Sequence, residues 1–207
     1  MSTFIIAGSD SIATNPGWTT YYLVQNPKIM KRLSEEIESA FTSEEQITPK
    51  SVCELPFMLR CLAETGRIYP TSLAGQSMVV PPAGDTICGK CVPGGAMVSL
   101  GVAEVLCQRN FADPTTYRPE RWLGDPQYAS DDRSVFQTFS VGPRSCIGKN
   151  LGNLETRLAL DRMIWSFDMK LSADTDPASD DQTGFIPYQK KPLIVELRVK
   201  ERSSIKS

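Results

Sequence analysis

The stretch Phe139-Ser140-Val141-Gly142-Pro143-Arg144-Ser145-Cys146-Ile147-Gly148 decides how the rest of the chain is read. One cysteine sits between two glycines, with Arg144 two residues before it and Phe139 seven before. The glycines allow backbone to approach a flat ligand where a Cβ would clash. Arg144 can meet an anionic group in a charge-assisted pair. The residues after Gly148 read as a helix, so Cys146 lies before a helix N-terminus, where partial positive charge favours a thiolate. Such a thiolate can be the proximal ligand of a haem iron, with Arg144 against a propionate. The plainer alternative is an inert cysteine beside a Gly-rich turn.

Composition narrows the chemistry. The 207 residues are 41% hydrophobic and 22% charged with a net charge of -2, an ordinary globular balance. No Lys/Arg cluster suggests nucleic acid. The chain has no histidine, which excludes Ser-His-Asp and Cys-His catalysis, His-ligated haem and the commonest zinc sites. Six cysteines at irregular spacing, with no signal peptide, suggest reduced thiols and an intracellular setting. Cys88-Gly89-Lys90-Cys91 is a lone C-x-x-C with no second pair or histidine to complete a metal site, so coincidence is the better reading. No run of 18 apolar residues exists to span a membrane.

Along the chain, residues 1–25 read as a helix beginning abruptly, with a kink or break expected at Pro16-Gly17. Asn26-Pro27 supplies a cap and first-turn proline for a helix to about Phe41, with Met30, Leu33, Ile37 and Phe41 as its apolar stripe and Glu35, Glu36 and Glu38 mostly toward water. Another helix is predicted over 56–68, so that helices fill 27–68. Residues 73–102 read as a β-rich segment, with Pro81-Pro82-Ala83-Gly84 and Pro93-Gly94-Gly95 as turns. An irregular segment over 109–138 leads into the cysteine loop at 139–148. The last long helix, 148–167, is expected to turn Leu151, Leu154, Leu158 and Trp165 inward. An acidic surface loop over 173–184 and C-terminal strands over 185–199 close the chain. The fold class is mainly α with small β-sheets, α+β, in one domain.

Two further pairs gain meaning from their order. Glu64-Thr65-Gly66-Arg67 places an acid and a base on one helix face, and Tyr117-Arg118-Pro119-Glu120-Arg121-Trp122 follows about fifty residues on. Near the start stands Ala7-Gly8-Ser9-Asp10-Ser11. The cysteine loop resembles, at every fixed position, the F-x-x-G-x-R-x-C-x-G signature of the cytochrome P-450 family. The E-x-x-R pair, the P-E-R-W segment and the A-G-x-D-S run resemble its other motifs, in the family's order. The resemblance implies that Cys146 is the axial iron ligand of a haem (iron protoporphyrin IX, thiolate-ligated). Phe139, Gly142, Arg144, Gly148 and Gly8 would line that cofactor. It also implies that Glu64, Arg67 and Arg121 form a structural charge cluster. Gly8 would leave room for dioxygen on the distal face, with Asp10 and Ser11 managing protons. Ser11 stands where the family usually has threonine. Connecting residues such as Val79-Val80-Pro81-Pro82-Ala83-Gly84 and Asn110-Phe111-Ala112-Asp113-Pro114 resemble filamentous-fungal members of secondary metabolism, closest to the trichothecene C-15 hydroxylase group.

The same resemblance implies a C-terminal portion of that fold without its N-terminal half, its membrane anchor or most of the distal helices. Met78 stands where similar sequences place a propionate-pairing arginine, and Val105 to Arg109 looks shortened by a residue. Gly66 and Pro16 add local helix cost. Few pocket-lining candidates remain, at Leu73 to Met78 and Phe185 to Tyr188. The expected activity is a haem-thiolate monooxygenase acting on an apolar small molecule, a terpenoid or polyketide of a fungal pathway or a mycotoxin precursor. Its partners would be O₂, that substrate and an NADPH-dependent flavin reductase, at the endoplasmic-reticulum membrane where the family usually resides. The alternatives are a truncated or degenerate form without activity of its own, or an interaction module with exposed apolar faces.

Overall fold

The computed structural model describes residues 2–71, 77–99, 108–175 and 193–201. Among these residues, four α-helices carry the fold: α1 (Ser2–Gln25), α2 (Pro27–Ala40), α3 (Pro56–Ile68) and α4 (Lys149–Ser166). Among the described residues, six short strands pair antiparallel in three two-stranded sheets. β1 (Met78–Val79) pairs β4 (Met97–Val98), β2 (Asp85–Ile87) pairs β3 (Lys90–Val92), and β5 (Phe167–Leu171) pairs β6 (Val195–Val199). The mainly helical α+β class is therefore observed. The expected features at 72–76, 100–107 and 176–192, including the acidic loop and the candidates Phe185 to Tyr188, lie outside the described residues.

The core lies between α2, α3 and α4. Pro27 starts α2 with its dihedral already helical, and Ile29, Leu33 and Ile37 form the buried stripe that ends at Phe41. They meet Ile47, Val52 and Leu55 from the following turns, Met58 and Cys61 from α3, and Leu160, Ile164 and Trp165 from α4. Met30, expected in the stripe, only flanks this cluster. On α4, Leu154 and Leu158 pack partly against the core, but Leu151 is 60% exposed.

Local departures from the sequence pattern have specific causes. α1 continues through Pro16 without the expected break. A mid-helix proline costs about 3 kcal/mol or more in isolation, and here packing against α3 and α4 holds the helix together. Asn26 is the N-cap residue of α2, but its side chain makes no capping bond. Its Nδ2 instead donates to Tyr22 O at 2.8 Å, closing the end of α1. Glu36, expected toward water, turns in to cap α3. Its two oxygens accept from the backbone N–H groups of Phe57 at 2.7 Å and Met58 at 2.9 Å, where the helix dipole favours an anion. α3 stops at Ile68 because Tyr69 precedes Pro70 and is steered out of the helical region.

The β2–β3 hairpin accounts for the C-x-x-C spacing. Cys88 and Gly89 are its two-residue turn, with φ of 51° and 75°, the signature of a tight hairpin turn whose twist matches the strands. Both thiols of the pair are exposed and free. Beside it, the turns at 81–84 and 93–95 press together so closely that a Cβ on Gly94 would stand 2.3 Å from Pro82 O. Only glycine fits there.

One buried acid in the core has no hydrogen-bond partner among the described residues. Asp161 on α4 is fully buried, and neither carboxylate oxygen is satisfied. Its pKa is pushed up to about 7, first by burial and then by the Glu36 carboxylate, with Arg162 pulling the other way. The folded chain therefore keeps this proton to about pH 7, whereas the unfolded chain releases it near pH 4. The stability tied to protonated Asp161 is complete below about pH 4 and is lost as the pH rises to about 7. Asp161→Asn, which cannot ionise, is expected to gain roughly 2–4 kcal/mol on the parent between about pH 4 and pH 8. Urea titrations of both chains across that range check it; parallel pH profiles would contradict it.

Candidate functional site

Glu64 is the anchor of the region that carries the cysteine loop. It is fully buried in α3, and its carboxylate accepts five hydrogen bonds. Oε1 receives Arg67 Nη2 at 2.9 Å, Arg121 Nε at 3.0 Å and the Arg118 backbone N–H at 3.0 Å. Oε2 receives Arg67 Nε at 3.0 Å and Trp122 Nε1 at 2.9 Å. Arg67 also donates to Pro114 O at 2.6 Å. Arg121 extends the network to Asp131 Oδ2 at 2.5 Å and Ala112 O at 3.1 Å, and Asp131 Oδ1 accepts from the Ala112 N–H at 2.8 Å. Burial works against the Arg121 charge, but Glu64 and Asp131 outweigh it and hold its pKa above the ordinary arginine value. Two acids and two bases leave the cluster neutral, as a desolvated network requires.

This network fixes a segment with no regular sheet or α-helix. Residues 119–123, 126–128 and 133–135 form single 3₁₀ turns. The Arg121 guanidinium lies over Tyr128 at 4.4 Å and near Phe111 at 5.7 Å. Arg133 donates to Arg121 O, and the Asp132 N–H to Asn110 O at 2.8 Å. Trp122 then meets Phe136 at 4.9 Å between ring centroids. Gly66 closes the path. A Cβ there would lie 3.6 Å from Asn15 Nδ2 and Phe136 Cζ and 3.7 Å from Thr138 Cγ2. This buried glycine, read from the sequence as a local helix cost, marks where α1, α3 and the approach to the cysteine loop converge, with space for one methyl group.

The cysteine loop itself is a closed turn on the surface. The Cys146 N–H donates to Phe139 O at 2.8 Å, and the Ser145 N–H to Gly142 O at 3.0 Å. Gly142 has φ +73°, a left-handed conformation that glycine alone adopts without strain. Gly148 precedes α4, and a Cβ on it would stand 3.8 Å from Cys146 Sγ. Cys146 is exposed and free. Around it, Val141 is 60% and Ile147 90% exposed, and Arg144 is also at the surface. Lys149 Nζ lies 5.9 Å from the Phe139 ring centroid.

α1 brings the A-G-x-D-S run to the same end of the molecule. Ile12 Cγ1 would be 3.8 Å from a Cβ on Gly152, so α1 crosses α4 one turn after the cysteine loop. Nothing stands within 4 Å of a Cβ position on Gly8, leaving open space over that residue. Ser11 Oγ donates to Ala7 O at 2.5 Å, so its hydroxyl proton is held and its lone pairs are left as acceptors. The Asp10 backbone carbonyl receives the Thr14 hydroxyl at 2.5 Å.

The family model described as Cytochrome P450 matches residues 1–197. The chain belongs to the cytochrome P450 family. It is 44% identical over 199 residues to the cytochrome P450 monooxygenase atr2 of Stereocaulon alpinum, covering 96% of this chain and 39% of that protein. It is 41% identical to cpaH of Aspergillus oryzae, covering 94% and 38%. It is 39% identical to FUM2 of Gibberella moniliformis, covering 93% and 41%. All three are named cytochrome P450 monooxygenases and come from fungi. The chain thus spans about two fifths of the length of the curated relatives it matches.

The cofactor of the cytochrome P450 family is haem, and the residues present fit it. Cys146 offers an accessible sulfur, and the chain has no histidine to compete with it for iron. The exposed Val141 and Ile147 side chains suit the apolar face of a macrocycle, and Arg144 is a cation within the same loop. Met78, where an arginine was expected, is partly exposed at 43% and cannot pair an anion. No helix among the described residues is long and apolar enough to cross a membrane.

Asp131, Trp122 and the carbonyl of Pro114 are the members of the network that sequence reasoning missed. Charge balance was the available signal. Glu64, Arg67 and Arg121 sum to +1, so burial demands another acid, but Asp113, Asp125, Asp131 and Asp132 all lie nearby in sequence. Only the fold selects Asp131. Glu64→Gln is expected to destabilise the chain by about 3–5 kcal/mol, because two buried guanidinium groups lose their common carboxylate. Glu35→Gln, in the exposed Lys31–Glu35 pair at 3.8 Å, should leave stability unchanged. Urea denaturation of the two variants beside the parent makes the comparison, and equal losses would refute a special role for Glu64.

Proposed function

We propose that this chain is the haem-binding part of a monooxygenase that inserts one atom of O₂ into an unactivated C–H or C=C bond of an apolar small molecule. The fungal relatives favour a terpenoid or polyketide of secondary metabolism, the compound class the trichothecene C-15 hydroxylase resemblance also suggests. The observation that carries the reading is the Cys146 thiol, accessible on a hydrogen-bonded loop at the entry to α4. When bound, haem supplies the activation of dioxygen.

The chain's own residues take distinct parts. Cys146 Sγ, presented where α4 begins, would hold the haem iron. Arg144 would pair with a propionate. Phe139 closes the loop through its carbonyl, while Gly142 supplies the left-handed turn and Gly148 leaves the space beside the sulfur free of a Cβ. Gly8, with open space over it, would leave room for dioxygen. Ser11 accepts a hydrogen bond through its free lone pairs and releases its own proton when its bond to Ala7 O breaks. Asp10, next to it, is the acid that resupplies that proton. Glu64, Arg67 and Arg121 hold the loop's approach and touch no reacting atom. Electrons come from a separate NADPH-dependent flavin reductase.

A second reading rests on Phe4 and Ile5 of α1, 72% and 67% exposed, and Val199 of β6, 67% exposed. These apolar side chains suit another polypeptide, in which case the chain acts by association without chemistry of its own. One spectrum separates the two. With haem supplied, the reduced chain exposed to carbon monoxide should show the red-shifted Soret band of a thiolate-ligated ferrous haem. The band should disappear in Cys146→Ala and weaken in Arg144→Ala. A folded chain that never develops it would favour the associative reading.

A further inference from the structure

Of the α1 side chains described, four are buried, and three of those are threonines. Thr14, Thr19 and Thr20 are 3%, 0% and 2% exposed, beside one buried leucine, Leu23. A buried hydroxyl costs free energy that a methyl group does not, unless a hydrogen bond offsets it. Thr20 finds its bond inside its own helix, at Pro16 O, 2.9 Å away. Thr19 reaches across to another. Its Oγ1 donates to Thr65 Oγ1 of α3 at 2.9 Å, and Thr65 donates to Cys61 O at 3.1 Å. That carbonyl also accepts the Tyr117 hydroxyl at 2.9 Å. Asn15 O lies 2.7 Å from the Thr19 hydroxyl as well. Whichever acceptor takes the Thr19 proton, the two threonine oxygens stay bonded, since the Thr65 hydroxyl can turn and donate back.

Thr65 stands between Glu64 and Gly66, and these three buried neighbours meet three different parts of the molecule. Glu64 holds the segment that leads to the cysteine loop, through Arg121 and Trp122. Thr65 holds α1. Gly66 lies against both, with Asn15 of α1 on one side and Phe136 and Thr138 of that segment on the other. On α1, Ser11, Asn15 and Thr19 recur at intervals of four, a single stripe along the helix. The helix runs unbroken through Pro16, so its setting at Thr19 is carried to Ser11, about 12 Å along the axis. Ring contacts near this point constrain α1 less. Trp18 lies on Tyr69 with centroids 4.0 Å apart and Tyr22 on Tyr117 at 5.0 Å. Stacked faces tolerate a sideways displacement that a hydrogen bond does not.

We propose that Thr19 and Thr65 are positioning residues for the monooxygenase reaction. Their hydrogen bond sets α1 about its own axis against the anchor of the cysteine loop, and so fixes where Asp10 and Ser11 stand relative to Cys146. Neither threonine touches a reacting atom. The consequence for the reaction rests on the monooxygenase reading; the setting of α1 is a property of the polypeptide alone.

Two measurements test it, the first without any cofactor. Cys53, Cys88, Cys91, Cys107 and Cys146 are replaced by serine, and the buried Cys61 is left in place. Nitroxide labels at Ile5→Cys of α1 and Val141→Cys of the loop, both exposed, report the distance between the two elements by pulsed electron paramagnetic resonance. Circular dichroism checks folding. The parent should give one narrow distance distribution. Thr19→Val and Thr65→Val should each shift or broaden it, and the pair together should do no more than either alone. Thr19→Ser and Thr65→Ser, which keep the hydroxyl, should match the parent. Thr20→Val, as deeply buried but with its bond inside α1, should match it too. Thr19→Val and the serine variants decide the matter if Thr65→Val does not fold. Valine variants that leave the distribution as in the parent, or move it no further than Thr20→Val does, overturn the proposal. The second measurement uses the haem-loaded chain with its cysteines intact. The C–O stretch of its reduced carbon monoxide form responds to polar groups beside the bound gas. In Thr19→Val it should shift toward its value in Ser11→Ala while the red-shifted Soret band persists, and an unchanged stretch overturns the role in the reaction. A chain that never binds haem removes the monooxygenase reading, and the label distances still decide the setting of α1.

Discussion

Five donors converge on the carboxylate of Glu64, and the geometry of the cysteine loop descends from that convergence. A buried carboxylate with one partner would be a liability, because desolvation outweighs a single ion pair. With every lone pair engaged and the charges of Arg67 and Arg121 matched by Asp131, the same group becomes a fixed point. The segment after Ala112 has only single turns of hydrogen-bonded backbone, so their placement relative to one another depends on this point. Pro114 O, the Arg118 N–H and the Trp122 indole are each held at a set distance from α3 or its side chains. Trp122 passes that constraint to Phe136, three residues before the loop begins.

The helical core obeys a related rule at lower stakes. Glu36 caps α3 from α2, joining two helices whose apolar stripes already face each other. Asp161, across the same junction on α4, receives no such donors. Two carboxylates of equal charge thus meet opposite fates. Glu36 reaches the N-terminus of a helix, where orphan amide groups accept an anion. Asp161 meets no hydrogen-bond donor among the described residues, and burial and the Glu36 charge favour its protonated form.

How much was legible in the sequence depended on whether a feature was local. The run from Phe139 to Gly148 carries its loop in its own residue types, and the stripe Leu33, Ile37, Phe41 announces α2 by spacing alone. Reading failed where a side chain answers to a distant neighbour. Asn26 preceded a proline and looked like a cap, yet the carbonyl of Tyr22 was nearer. Glu36 sat among acids that face water, and the amides it caps are 21 residues away. Leu151 followed the helical period, yet its side chain is left 60% exposed. Asp131 could not be chosen among four acids, since its partner is selected by the fold and not by spacing. Pro16 carried a correct local signal that tertiary packing overrode.

The separation between the members of the Glu64 network has a consequence for the order of assembly. Glu64 and Trp122 are 58 positions apart, and Glu64 and Arg121 are 57. Closing a loop of that length costs entropy before any contact rewards it. The reward itself is small until water has left, because the charges attract strongly only in a low dielectric. Helices α2 and α3, joined by near neighbours, have no such delay. The α2–α3 pair is therefore expected to form before the irregular segment is clasped and before α4, which lies still farther along the chain, completes the core around the cysteine loop.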